Sequence, residues 1–209
     1  MTFADEYFKR DIATHAMQVI RDDGVNRHLR FKRPNTMCMH FDLVTWPGYL
    51  CYTGDMGTYV FSRLLDMFQF FRKPENHPGY QFDRAYWAEK IQAQDRDGVK
   101  VYSADLFRAT IEDCLKSYCD DMTESQRAAL KEEVDNEVLY HADDGQHDAF
   151  RAAIDFTHDG RSVFQDFWEH DCREYTHRFQ WCCHALEWAI AQYDVSKAAS
   201  TAPVADLHE

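Results

Sequence analysis

The stretch MCMHFDLVTWPGYLCYTGDMGTYVFS, residues 37–62, decides the fold class. Its first half has the two-residue period of a half-buried strand: Met37, Met39, Phe41 and Leu43 alternate with Cys38, His40, Asp42 and Val44. Two turn sequences, Trp46-Pro47-Gly48-Tyr49 and Gly54-Asp55-Met56-Gly57, divide the rest. The pattern predicts strands over 37–45, 49–53 and 58–62.

A fourth strand and an N-terminal helix precede this stretch. The strand is predicted over 28–32, and Arg33-Pro34-Asn35-Thr36 separates it from residue 37. Apolar residues recur every three or four positions over Phe3–Arg21, as in an amphipathic helix, before Gly24 ends the pattern. The sequence therefore predicts a four-stranded antiparallel meander flanked by an N-terminal helix.

Helical periodicity returns after Arg63 and dominates the second half. The capping-box pattern Thr123-Glu124-Ser125-Gln126 begins one of three or four helices after Ser103. The other predicted elements are helices over 64–71, 83–94 and 162–193, a short strand over 99–102, and a flexible tail over 195–209. The predicted fold class is α+β, with one domain over 1–194, its sheet region at 28–62 and its helical region at 103–194.

The charge is uneven along the chain. The 209 residues contain 23 Lys and Arg and 36 Asp and Glu, for a net charge of −13. Residues before Tyr102 carry a net charge of +1, and those from Tyr102 onward carry −14. Such asymmetry often marks an interaction surface. The overall net charge of −13 disfavours direct binding to nucleic acid, because phosphates repel carboxylates.

Other features of the composition point to the cytoplasm. No apolar run approaches the roughly 20 residues that span a bilayer, and residues 1–10 lack the pattern of a signal peptide. We therefore expect a soluble cytoplasmic protein that does not bind membranes. Seven cysteines form no paired framework, so reduced thiols are expected.

One line of residues suggests metal chemistry on the last predicted helix: His170, Glu174, His177, Trp181, His184 and Trp188 are spaced three or four apart. Of these, His170, Glu174 and His177 are the candidate metal ligands, and a metal-assisted hydrolase is the function they would support. The spacing Glu-x-x-His does not occur twice, since Glu137-x-x-x-His141 and Asp155-x-x-His158 match it only loosely. We favour a semi-polar packing face, whose His and Trp side chains form hydrogen bonds with neighbours, over a metal site, and we therefore expect no metal and no cofactor.

Three smaller patterns leave alternatives open. A cysteine nucleophile would need a histidine partner that spacing alone does not reveal. His40 and Asp42 share one face of a predicted strand, where they serve either proton transfer or a solvated surface. The basic cluster of Arg27, Arg30, Lys32 and Arg33 is expected to pair with acidic residues of this chain or of a partner.

Several segments resemble a family of phage and prophage accessory proteins. They are FDLVTWPG at 41–48, GDMGTYVFSR at 54–63, DMF at 66–68, FWE at 167–169 and FQWCCHAL at 179–186. The resemblance implies a phage-related origin and action inside the host cell. It assigns no activity, cofactor or catalytic residue.

These observations favour a non-enzymatic inhibitor of a host nucleic-acid-handling or antiviral defence complex. Carboxylates that imitate phosphates would bind a basic groove on a host protein or ribonucleoprotein. The predicted partner-binding residues are Glu112, Asp113, Asp120, Asp121, Glu132, Glu133, Asp135 and Glu137. The alternatives are an acidity that serves only solubility, the metal-assisted hydrolase, and a phage structural or regulatory protein that forms homo-oligomers through the long last helix.

Overall fold

The computed structural model describes residues 3–73 and 82–201. The chain divides into two compact units. The sheet unit comprises Met1–Val99 and Tyr175–Glu209, and the helical unit is the continuous stretch Lys100–Glu174 between them in sequence. The single domain over residues 1–194 stays a prediction, to which the structure adds this internal division.

Seven helices and ten strands lie in the described ranges. The helices are α1 (Phe3–Ile12), α2 (Met67–Phe71), α3 (Arg84–Glu89), α4 (Ala104–Tyr118), α5 (Glu124–Glu137), α6 (Gln146–Asp155) and α7 (His177–Thr201). The strands are β1 (Ala16–Asp23), β2 (Asn26–Lys32), β3 (Phe41–Trp46), β4 (Tyr49–Gly54), β5 (Gly57–Ser62), β6 (Ile91–Gln94), β7 (Lys100–Tyr102), β8 (Thr157–His158), β9 (Arg161–Ser162) and β10 (Arg173–Tyr175). Short 3-10 turns occupy Leu139–His141 and Phe167–Glu169.

The sheet unit contains a six-stranded antiparallel sheet in which β1 to β6 follow one another in sequence order. Its inner strands, β2 to β5, correspond to the four predicted strands. The strand predicted over 37–45 begins only at Phe41, because the left-handed backbone of Met39 (φ 60°) interrupts an extended chain, so His40 lies outside the strand that contains Asp42. The predicted Gly54–Gly57 turn joins β4 to β5. Glycine is required at Gly54, because a Cβ there would lie 2.3 Å from the carbonyl oxygen of His40.

One face of the sheet and α7 share a core. Along β2 the side chains of Arg27, Leu29 and Phe31 are buried, alternating with half-buried neighbours as the period of two requires. Trp181 of α7 packs edge-on against Phe41 of β3. Further buried residues on α7 complete this core: Phe179, Cys182, Cys183, Ala185, Leu186, Ala189, Ile190 and Tyr193.

The number of strands and the helix boundaries in this unit differ from the prediction. The N-terminal helix predicted over Phe3–Arg21 ends at Ile12, and its second half is β1. The helix predicted over 83–94 ends at Glu89, and β6 follows. Pairing with β2 and β5 determines these edge strands, and a long-range contact of this kind overrides a local helical spacing.

The helical unit has its own core, in which Phe107 and Ile111 of α4 are buried together with Leu130 and Val134 of α5. The predicted capping box is confirmed, since Thr123 accepts a hydrogen bond from the backbone of Gln126 and Gln126 accepts one in return. The strand predicted over 99–102 is present as β7. It pairs with β10, which lies near the other end of the unit in sequence.

The last helix is the largest error of the sequence analysis. Residues 162–176, predicted to be helical, contain β9, a 3-10 turn and β10, and α7 begins only at His177. Some apolar residues with helical spacing, such as Phe164 and Cys172, lie in non-helical segments. Their side chains are nevertheless buried in the core of the helical unit. At its other end α7 continues to Thr201, through the first seven residues of the predicted tail. Residues 202–209 lie outside the described residues.

Candidate functional site

Nearly all the excess acidity lies in the helical unit. Its 75 residues carry 8 Lys and Arg against 19 Asp and Glu, for a net charge of −11. The sheet unit carries 15 basic and 17 acidic residues, for a net charge of −2. The helical unit is therefore a compact acidic module.

All eight predicted partner-binding carboxylates belong to this module and are exposed. Glu112 and Asp113 lie on α4, and Asp120 and Asp121 lie in the loop that follows. The remaining four, Glu132, Glu133, Asp135 and Glu137, lie on α5. The structure thus places the whole set on one pair of helices and their connection.

Basic side chains of the same unit lie close to several of these carboxylates. Glu133 lies 3.0 Å from Nδ1 of His158, and Asp113 accepts a hydrogen bond of 2.8 Å from Lys116. Glu112 and Asp120 line a cleft of about 430 Å³ that also contains Lys116, Arg127 and Lys131. Glu133 and Asp113, which have these contacts, are therefore less available to a basic partner than Asp121, Glu132, Asp135 and Glu137.

A second acidic surface, which the sequence analysis did not select, lies beside α6. A cavity of about 460 Å³ is lined by Glu137, His141, Asp144, Asp148, Arg151, Ala152, Asp155 and Phe156. Of the predicted residues only Glu137 belongs to it. Asp148 and Asp155 are seven residues apart on α6, which places them on one helix face two turns apart. That spacing was the signal in the sequence that could have identified this surface.

An apolar cleft adjoins this cavity. It has a volume of about 550 Å³ and is lined by Gln146, His147, Phe150, Arg151, Ile154 and Asp155. Arg151 and Asp155 line both spaces, which makes the two surfaces continuous. Ile154 is 38% exposed, whereas Phe150 is partly buried against the core of the unit.

The candidate metal ligands do not share a helix. His170 follows a 3-10 turn, Glu174 lies on β10, and His177 begins α7. Among the residues that the structure describes, no group of three His, Cys, Asp or Glu side chains is arranged to hold a metal ion. The prediction that these residues lie along one helix is wrong, because the helix begins only at His177. The metal-assisted hydrolase stays a prediction. Of the remaining members of the predicted line, Trp181 is buried in the core and His184 stacks on Phe8.

The seven cysteines are all free thiols. Cys114 has a histidine partner, since its Sγ lies 3.8 Å from Nε2 of His170. Burial raises the pKa of Cys114, and the nearby Asp113 and Cys172 raise it further. The thiol form is thus favoured at neutral pH, which is the opposite of what a cysteine nucleophile requires.

The remaining candidates form structural contacts within the sheet unit. His40 lies 2.8 Å from the carbonyl oxygen of Met37, whereas Asp42 pairs with Arg30 and His28, so His40 and Asp42 have different hydrogen-bond partners. The expected pairing of the basic cluster is confirmed for Arg30 with Asp42 and for Arg27 with Asp66. The third guanidinium, that of Arg33, donates to the backbone oxygen of Asp11.

No protein-family model, curated protein or solved structure matches this chain. The resemblance to phage accessory proteins stays a prediction. In the described ranges, no helix is both long and apolar enough to cross a membrane.

Proposed function

We propose that the protein is a phage-derived inhibitor that binds a host nucleic-acid-handling or antiviral defence complex in the host cytoplasm. The concentration of acidity in one compact module, with a net charge of −11, carries this proposal. A module of this charge is attracted to basic grooves and is repelled by nucleic acid.

The α5 surface has a spacing suited to phosphate mimicry. Residues three apart on a helix are neighbours, with about 5–6 Å between their Cβ atoms. Glu132 and Asp135 are such a pair, and both side chains are exposed. Rigid presentation of carboxylates lets them occupy positions on a basic groove that phosphates otherwise fill.

The two other functions receive less support. The residues for a metal-assisted hydrolase are dispersed over three different segments, as described above. Self-association through α7 would require a free apolar face, but most large apolar side chains of α7 are buried within the sheet unit, namely Phe179, Trp181, Leu186, Ile190 and Tyr193. An acidic surface that serves only solubility remains the principal competing explanation.

Charge substitution separates phosphate mimicry from a solubility role. The test variant combines Asp121→Asn, Glu132→Gln and Asp135→Asn on the helical unit. The control variant removes the same number of charges from the sheet unit through Glu6→Gln, Asp23→Asn and Glu89→Gln, all at exposed positions. Each protein is used to capture partners from host lysate, and the association rate with the captured partner is measured between 50 and 500 mM salt, where the Debye length falls several-fold.

We expect the parent and the control to bind with rates that fall steeply as salt rises. The test variant should associate at least about tenfold more slowly at low salt, because electrostatic steering depends on the removed charges. Equal, salt-insensitive rates for all three proteins would remove the proposal and leave the acidity as a solubility feature.

A further inference from the structure

The surface around α6 combines two kinds of contact that rarely adjoin by chance on an acidic module. We call the apolar cleft at Phe150 and Ile154, together with the acidic cavity at Glu137, Asp144, Asp148 and Asp155, the α6 groove. The acidic cavity has a volume of about 460 Å³ and the apolar cleft one of about 550 Å³. Each space lies within the range of about 300–1,000 Å³ for ligand sites and can accommodate side chains of a polypeptide.

The apolar half is open to solvent. Ile154 projects from the last turn of α6 and is 38% exposed, and Phe150 lies one helical turn before it. Side chains four residues apart on a helix form a continuous strip. An aliphatic side chain of a partner would remove this strip from water, at about 25 cal/mol for each Å² buried.

The acidic half is suited to a cation. Four carboxylates line one cavity with the single guanidinium of Arg151 and the imidazole of His141. Two of them have a histidine contact, since Asp144 lies 2.8 Å from Nδ1 of His141 and Asp148 lies 3.1 Å from Nδ1 of His147, at exposed positions where such pairs contribute little. Nε of Arg151 lies 3.5 Å from Oδ2 of Asp155, but the two side chains are 72% and 69% exposed. Exposed pairs of this kind contribute little, so an incoming Arg or Lys can replace Arg151 at Asp155.

We propose that the α6 groove binds a basic amphipathic helix of a partner protein. One apolar side chain of that helix would contact Phe150 and Ile154, and an Arg or Lys one turn away would enter the acidic cavity. The occupant is assigned by charge complementarity to the helical unit, whose net charge is −11. The inference rests on the proposed function for the basic character of the partner, and it adds a contact on α6 to the proposed contacts on α4 and α5.

The test uses the full chain and three synthetic probes of 14 residues, measured by fluorescence anisotropy. The first is an amphipathic helix of Leu, Ala, Lys and Arg. The second replaces its Lys and Arg with Glu, and the third replaces its Leu with Ser. Because the groove requires both kinds of contact, only the first probe should bind tightly, with the other two at least about tenfold weaker.

Two groove variants and two controls locate the contact. Ile154→Ser removes the apolar strip, and Asp144→Asn with Asp155→Asn reduces the charge of the cavity. The controls are Val195→Ser, at a residue that is 67% exposed on α7, and Glu6→Gln with Glu89→Gln, which removes two charges from exposed positions of the sheet unit. A separate variant, Asp121→Asn with Glu132→Gln, changes the proposed α4–α5 surface for comparison. We expect each groove variant to weaken the first probe about tenfold and each control less than twofold, with unchanged circular dichroism. Only the effect of the Asp variant should diminish at 0.5 M salt, because the apolar contact is not screened.

Two outcomes would overturn the inference, and they differ in what they imply for the proposed function. If the Asp121/Glu132 variant weakens the probe and the groove variants do not, phosphate mimicry on α5 stands and the α6 groove is not the docking site. If the second or third probe binds as well as the first, or if none binds, the groove does not recognise a basic amphipathic helix. Partner capture by the parent protein then tests the proposed function independently.

Discussion

At the scale of single residues, the sheet unit holds its charged groups in specific networks. Arg27 is only 7% exposed, donates two hydrogen bonds to Asp66, and lies over the ring of Phe68. Its Nε also donates to the hydroxyl of Tyr193 on α7. A buried guanidinium needs such partners because burial of an unpaired charge is costly. The basic cluster that stood out in the sequence therefore includes residues that stabilise the fold.

Asp42 provides a test of this role through pH. Burial raises its pKa, but hydrogen bonds from Arg30 and His28 outweigh burial and hold the pKa below its ordinary value of 3.8. A lowered pKa in the folded state means that the stabilisation is complete above the unfolded value and is lost as pH falls through the folded one. We therefore expect Asp42→Asn to lower the free energy of unfolding by about 1–3 kcal/mol at pH 7, and by progressively less below about pH 4.

Urea unfolding of the parent and of Asp42→Asn between pH 2 and pH 7 measures this difference. Asp113→Asn is the matched control, since Asp113 pairs with Lys116 on an exposed surface where both side chains are about three-quarters exposed. Such a pair is worth less than about 1 kcal/mol. A destabilisation by Asp42→Asn that stays constant down to pH 2 would show that the carboxylate charge is not what stabilises the sheet.

At the scale of elements, the predictions that succeeded depend on local chemistry. Turns at Trp46–Tyr49 and Gly54–Gly57 separate strands whose alternation is visible in the sequence, and the capping box at Thr123 begins α5 as predicted. The elements that were predicted wrongly depend on pairing with strands that are distant in the sequence or on contacts within a core. β1 reads as a helix because Ala16, Val19 and Ile20 have helical spacing, yet Val19 pairs with Leu29 of β2. No local signal carries that contact.

The capping box permits a test at this scale. Thr123→Ala removes the side-chain oxygen that accepts from Gln126 N, and the first turn of α5 then has an unsatisfied backbone donor. We expect the free energy of unfolding of the helical unit to fall by about 1 kcal/mol. The control is Ser125→Ala, at an exposed position two residues further along the chain. It should leave the free energy of unfolding unchanged or raise it slightly. Amide hydrogen exchange in residues 123–130 measures both effects, and equal protection in the two variants would contradict the role of the cap.

At the scale of the whole molecule, the sequence predicts which part of the chain is acidic more accurately than it predicts which carboxylates are available to a partner. Residues 102–174 of the acidic half of the sequence lie in one compact unit, and all eight selected carboxylates are exposed in it. The sequence does not show that Lys116 and His158 contact two of them, Asp113 and Glu133, or that Asp144 and Asp155 line one cavity with Glu137. These relations depend on how α4, α5 and α6 pack, which is a property of the folded unit.

The two units also have separate cores, and this leads to a prediction about cooperativity. Phe107 is fully buried in the helical unit, where its ring lies 5.5 Å from that of Phe167. Phe31 is fully buried in the sheet unit, stacked on Phe41 at 4.9 Å. The two clusters of buried residues share no member. Since each Phe→Ala substitution leaves a cavity in one core, each should cost about 3–5 kcal/mol in that unit alone.

Hydrogen exchange resolved by peptide measures the two units in the same experiment. Phe107→Ala should reduce protection across α4 to α6 and leave β2 to β5 close to the parent, and Phe31→Ala should do the reverse. Tryptophan fluorescence during urea unfolding gives a second measure, because Trp87 and Trp181 are buried in the sheet unit whereas Trp168 is exposed in the helical unit. If either substitution lowers protection equally in both units, the chain unfolds as the single cooperative domain predicted over residues 1–194. Separate responses would establish that the acidic module has its own stability, because the cavity in one core would leave the packing of the other intact.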